Sequence, residues 1–159
     1  GSTFTVRLPL APAAAAAEPA GIAVAKPEPA RAPAFRVLVV DDNVDAAESL
    51  AALLEMQGHA TRVAHDGNEA LSAAQDFRPE IVFLDIGMPG MSGHEVARRL
   101  RGDLGLRETV LIALTGYGTD EDRRASDEAG FDGHLVKPID FEALERILAA
   151  LPARRSEAA

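Results

Sequence analysis

Five residues carry groups that could act together: Asp41, Asp42, Asp85, Thr115 and Lys137. They fall in four strings, VLVVDDN at 37–43, IVFLDIGMPGMSG at 81–93, LIALTGY at 111–117 and HLVKP at 134–138. In each string a short apolar run leads into the reactive residue. Three carboxylates brought together repel one another and raise one another's pKa. A hard divalent cation relieves that repulsion, and Mg2+ is satisfied by two or three carboxylate oxygens, water and a backbone carbonyl. A fixed ammonium and a hydroxyl beside such a cation could stabilise the equatorial oxygens of a transferring phosphoryl group. Taken singly, these residues are unremarkable, since an Asp after a strand is ordinarily a helix cap or turn former. The weight lies in all of them falling at the ends of alternate elements.

Those elements can be read from periodicity. Apolar runs at 35–40, 60–64, 80–84, 110–114 and 133–136 predict strands. Helical spacing fills the intervals at 44–57, 67–77, 92–101, 119–129 and 140–151. In the first, Val44, Ala47, Leu50, Leu53, Leu54 and Met56 form an apolar face. In the last, Phe141, Leu144, Ile147, Leu148 and Leu151 recur at steps of three and four. Five strands alternating with five helices predict an α/β fold, a parallel sheet covered on both faces. The first, third and fourth strands are apolar almost throughout, as burial on two faces requires. The second is weaker and is expected at an edge. Gly58, Gly67, Gly130 and Gly133 lie near element ends, and Pro79 precedes a strand. Open α/β sheets place their sites outside the carboxyl ends of the strands. The five reactive residues therefore converge on one rim.

The 159 residues suit one domain of ordinary size with some left over. With 47% hydrophobic and 4% aromatic residues, the core is aliphatic and alanine-rich. The net charge is −9, yet residues 35–151 hold 11 Lys or Arg against 22 Asp or Glu, a net of −11. So acidic a domain repels nucleic acid and attracts cations and basic protein surfaces. The absence of cysteine excludes disulfides, thiol catalysis and thiolate metal sites. No apolar run approaches a membrane span, and no basic segment leads an apolar one at the N-terminus, so a cytoplasmic location is expected. Residues 1–8 alternate, with Phe4, Val6 and Leu8 on one face, as in a strand too short to stand alone. Residues 9–34 hold six prolines and twelve alanines and read as a disordered linker. Residues 152–159 read as a disordered tail.

The quintet and its four strings resemble the receiver domain of two-component signalling over residues 35–151, essentially a whole domain. The combination is specific because four motifs occur in order with family-like spacing. The resemblance implies a flavodoxin-like, doubly wound (βα)5 fold with strand order 2-1-3-4-5. It implies that Asp85 is the phosphoacceptor, attacking a phosphohistidine in line, with Mg2+ as cofactor. Asp42 would hold the metal directly, Asp41 mainly through water, with Asp85 and the Gly87 carbonyl completing the protein ligands. Lys137 would pair with Asp85 before phosphorylation and with the phosphate after it, and Thr115 would move to meet a phosphate oxygen. The Lys137–Pro138 bond is expected to be cis. Met88-Pro89 and Gly93 match the loop that shapes the nucleophile's turn. Two departures stand out. His134 occupies the switch position, three residues before Lys137, where the family usually has Tyr or Phe. Gly87 and Tyr117 occupy the two positions that tune phosphate lifetime; glycine leaves the water's path open, and Tyr117 would cover part of it.

GSTFTVRLPL resembles the end of a histidine-kinase ATPase domain, although Gly1-Ser2 could equally be a cloning remnant. A kinase end, a Pro/Ala linker and a receiver in that order resemble the C-terminal part of a hybrid histidine kinase, whose sensor could be membrane-anchored. The alternative is a stand-alone single-domain response regulator. Either way the implied partner is a histidine kinase or histidine phosphotransfer protein, without direct nucleic-acid or membrane contact, and the receiver is a monomer or weak dimer. The receiver alone would be no conventional enzyme, catalysing only its own phosphorylation and dephosphorylation. A DNA-binding output is disfavoured, because eight residues follow Leu151 and the domain is acidic. An Asp-nucleophile phosphatase would want an acid where Gly87 stands, and a dinucleotide enzyme a Gly-rich turn where Asp41-Asp42-Asn43 stands. Three carboxylates would repel a flavin phosphate. His59, His65 and His94 read as surface or edge residues; Arg98, Arg99 and Arg101 read as a solvated face. Arg123 and Arg124 would form ion pairs at helical spacing within the acidic fourth helix. By family analogy, the output surface is the face of the fourth helix, fifth strand and fifth helix.

Overall fold

The computed structural model describes residues 34–157, with side chains as far as Leu151. The strand pattern at 1–8, the linker at 9–34 apart from Ala34, and residues 158–159 lie outside the described residues. Strands β1 (Arg36–Val40), β2 (Ala60–Ala64), β3 (Ile81–Asp85), β4 (Val110–Thr115) and β5 (Gly133–Val136) form one sheet. Helices α1 (Val44–Met56), α2 (Gly67–Phe77), α3 (Gly93–Gly102), α4 (Asp120–Ala129) and α5 (Phe141–Glu157) alternate with them. All pairings are parallel, in the order β2-β1-β3-β4-β5. This is the flavodoxin-like doubly wound fold implied by the resemblance.

The core has two layers because successive strand residues point to opposite faces. Leu38, Val40, Val82, Leu84, Leu111 and Ala113 pack with Ala70 and Ala74 of α2 and Val96 and Leu100 of α3. Val37, Val39, Ile81, Phe83, Ile112 and Leu114 pack with Leu50 and Leu54 of α1 and Leu144 and Leu148 of α5. Every residue of β3 is buried, whereas in β2 only Ala64 is, as befits its edge position. Four helices begin on a side-chain cap: Asn43, Asp66, Ser92 and Thr119 each accept from a backbone N–H in the first turn. Among the described residues, no helix is long and apolar enough to cross a membrane.

Strand and helix ends fall within a residue of those read from periodicity, except at one point. The backbone of α5 stays helical through Pro152 to Glu157, where the spacing predicts a disordered tail. The apolar face ends at Leu151, so periodicity carries no signal for the polar turns beyond it.

Three further expectations are corrected. Arg101 is not part of a solvated face. Its guanidinium donates to the carbonyls of Leu106, Arg107, Thr109 and Gly130 and to Asp132 Oδ2, the last at 2.6 Å. It ties the C-terminal turn of α3 to the loops entering β4 and β5. Arg123 and Arg124, by contrast, make no ion pair among the described residues; their stretch of α4 is mostly exposed to solvent, where water screens the neighbouring carboxylates. His59 is not on the surface. It is 6% exposed, its ring stacks on Phe35 with centroids 5.6 Å apart, and its Nδ1 accepts from Phe35 N–H at 3.1 Å.

Burial holds the His59 pKa below its ordinary value, because the imidazolium loses hydration. As pH falls through about 6.5 the unfolded chain takes up this proton first. Stability is therefore lost from about pH 6.5 downward, until the folded-state pKa is passed. His59→Gln should melt lower at about pH 7.5, by the equivalent of ~1–2 kcal/mol. It should also lose less stability than wild type on acidification to about pH 5.5, read by parallel thermal melts.

Candidate active site

The reactive residues gather where the strands end. Asp41 follows β1 and stays in the ladder through its N–H, which donates to Ala64 O at 3.1 Å. Its Oδ1 accepts from Asn43 N–H at 2.9 Å. Capping of α1 falls to Asn43, whose Oδ1 accepts from Ala46 N–H. Neither Asp41 nor Asp42 is spent as a cap. Asp85 is the last residue of β3, and its Oδ1 accepts from Gly87 N–H at 3.1 Å. Gly93 starts α3 hard against this turn: a Cβ there would lie 2.3 Å from Asp85 O, so only glycine fits. Asp41 and Asp85 are buried and Asp42 is exposed, with one carboxylate oxygen from each lying within 4.8 Å of the others.

Lys137 enters from β5. Its N–H donates to Thr115 O at 2.7 Å, which registers it against the end of β4. The Lys137–Pro138 peptide bond is cis. Nζ donates to Asp41 Oδ2 at 2.7 Å and lies 3.3 Å from Asp85 Oδ2. The ammonium therefore bridges two carboxylates and is closer to Asp41, where the resemblance implied pairing with Asp85. Thr115 Oγ1 is buried and has no hydrogen-bond partner among the described residues.

Charge follows from this geometry. Burial pushes the Asp85 carboxyl above its ordinary value, and the Asp41 charge adds to the rise. The Gly87 N–H and Lys137 oppose it without cancelling it. Burial alone would lower the Lys137 ammonium; its hydrogen bond to Asp41 and the charges of Asp85 and Asp41 outweigh that and raise it. Three ionised carboxylates against one ammonium leave an excess of two negative charges. One Mg2+ would neutralise that excess, and its preference for oxygen ligands matches the donor set. Ligands ~2.1 Å from Mg2+ lie at most ~4.2 Å apart, so a small rotation of one carboxylate closes the set. Asp41, Asp42, Asp85 and the Gly87 carbonyl are the residues that would hold the ion.

The other expected residues are placed less centrally. His134, on β5, pairs in register with Ala113 of β4. Leu135 packs into the α1/α5 layer, so His134 faces the side that holds α2, α3 and Ala129 of α4. Tyr117 is 80% exposed, leaving its ring largely in solvent. His65 is nearer the pocket than the sequence indicates, with Nδ1 3.2 Å from Asp41 O, and its Nδ1–H tautomer donates there. No motif marks that contact, since the acceptor is main chain.

Fold and site together define a doubly wound α/β protein with an acidic, lysine-bridged pocket at the carboxyl ends of its strands. Residues 37–149 match the response regulator receiver domain family, and the chain belongs to it. It is 39% identical over 123 residues to the DNA-binding response regulator MtrA of Mycolicibacterium smegmatis, covering 77% of this chain and 52% of that protein. The chain thus spans about half the length of curated relatives of this kind. Among solved structures, Vibrio cholerae chemotaxis protein CheY4 superposes with a TM-score of 0.70 at 30% identity, covering 74% of this chain and 98% of that one. The signal receiver domain of a signal transduction histidine kinase from Syntrophus aciditrophicus gives 0.67 at 32% identity, covering 74% and 89%.

A carboxyl raised by burial makes its ionised form a cost to the fold above that pKa, and the cost vanishes as pH falls below the unfolded value. Without Mg2+, Asp85→Asn should raise Tm by a few degrees at about pH 7, the gain shrinking on acidification. Mg2+ should then stabilise wild type markedly and Asp85→Asn little, as thermal melts with and without the ion would show.

Proposed function

We propose that this receiver domain accepts a phosphoryl group on Asp85 in an Mg2+-dependent reaction and thereby changes which partner surface it presents. The observation that carries the reading is the buried Thr115 hydroxyl, unpartnered among the described residues, beside a lysine-bridged carboxylate cluster. A buried hydroxyl without a partner costs free energy. An incoming phosphoryl oxygen would supply the missing acceptor. An Asp85 carboxylate oxygen forms the new bond to phosphorus while the bond to the donor histidine nitrogen breaks, and that nitrogen keeps the electron pair. When bound, Mg2+ supplies charge neutralisation on the phosphoryl oxygens. Lys137 is already positioned to shift from Asp85 to the phosphate. The Gly87 N–H keeps the carboxylate oriented for in-line attack.

The donor is read as a histidine kinase or histidine phosphotransfer protein. The kinase-like first ten residues and the likeness to a histidine kinase receiver support a place within a hybrid histidine kinase. A stand-alone regulator shares the same pocket chemistry. The MtrA relatives are named as DNA-binding, so an output of that kind is a third context. The parent gene distinguishes the three by what flanks residues 35–151.

Incubated with acetyl phosphate and Mg2+, wild type should gain the mass of one phosphoryl group. The gain should be absent without Mg2+ and absent in Asp85→Asn, and Thr115→Ala should slow it at least about tenfold. A folded, Mg2+-binding wild type that gains no mass would remove the proposal for small-molecule donors and demand its cognate kinase.

A further inference from the structure

Residues 86–92 link Asp85 to α3 and carry Gly87. This loop is pinned at its ends by Ile86 N–H to Leu114 O, 3.1 Å, and by Gly93 N–H to Ile86 O, 3.2 Å. Between them it is anchored by methionines: Met88 is buried in the core layer under α2 and α3, and Met91 packs against the same layer. Met91 lies directly on Gly67, the first residue of α2. A Cβ at Gly67 would sit 2.7 Å from Met91 Sδ, 2.8 Å from its Cβ and 3.0 Å from its Cγ. A thioether can swing aside, but Met91 Cβ moves only with its own backbone. On the other side, α2 has little room to retreat. Asp66 caps it, with Oδ1 accepting from Glu69 N–H at 2.8 Å, and Ala70 and Ala74 are fully buried against the sheet. A side chain at position 67 would therefore displace the loop and not the helix.

We infer that Gly67 and Met91 are positioning residues for the pocket: their contact sets the height of the β3–α3 loop, and hence the Gly87 peptide relative to Asp85. Neither supplies a ligand atom. Their effect passes through the Gly87 N–H bond to Asp85 Oδ1 and through the carbonyl of the same residue. The inference rests on the reading of this pocket as an Mg2+ site. Residues that orient metal ligands commonly alter affinity by one or two orders of magnitude when changed.

The test compares wild type, Gly67→Ala and Met91→Ala by two readouts. The first is amide hydrogen exchange in the metal-free protein, at Gly87 and at Val82 in the middle of β3. The second is Mg2+ affinity by calorimetry. Gly67→Ala should speed exchange at Gly87 about tenfold while leaving Val82 unchanged, and should weaken Mg2+ binding by about tenfold. Met91→Ala should act in the same direction on both, and it decides the matter if Gly67→Ala does not fold. A folded variant with a lower Tm but wild-type Gly87 exchange and Mg2+ affinity would make the contact merely structural and overturn the inference alone. A wild type that binds no Mg2+ would overturn the functional reading and the inference with it.

Discussion

The ammonium of Lys137 bridges two carboxylates of the acidic cluster, and holding it there organises the carboxyl end of the sheet. Its backbone is fixed by the strand-end bond to Thr115. From that position Nζ spans from the end of β1 to the end of β3. Such a buried cluster is unfavourable in isolation, since desolvated charges are repaid only by good partners. The sheet delivers all of them at once, because parallel strands end on the same side. The pocket is thus a consequence of topology: residues 96 positions apart come within 2.7 Å because β1 and β5 run the same way.

Most of this is legible in the chain itself. A strand covered on both faces has to be apolar at every position, so Ile81–Leu84 and Leu111–Leu114 announce themselves. Half-covered β2 reads as weak for the same reason. Reactive residues at the strand ends could be grouped because doubly wound folds leave one place for them to meet. The illegible features share a cause. His59 depends on the main-chain N–H of Phe35, 24 residues away, and Arg101 on carbonyls up to 29 residues away. Main-chain partners carry no residue signature, so a buried histidine and a structural arginine look like surface residues. The preference of Lys137 for Asp41 over Asp85 was hidden for another reason. It turns on differences of under an ångström, which spacing does not resolve.

The two rims of the sheet are built on different terms. At the carboxyl end the Lys137 ammonium meets two carboxylates, Asp41 and Asp85, side chain to side chain. At the amino end Arg101 meets four carbonyls and a single carboxylate. One rim is poised to change its charge, the other to stay as it is.

The Arg101 network also bears on how this molecule can evolve. Leu106, Arg107, Thr109 and Gly130 take part through main-chain oxygens, which any amino acid would supply. Arg101 and Asp132 are bound to their identities there, and so is Gly130, whose φ is +97° and whose Cβ would lie 3.2 Å from Arg101 Cγ. Around that anchor the loops into β4 and β5 are free to drift in sequence while keeping their shape, so new surface chemistry can be explored far from the reactive end without disturbing it.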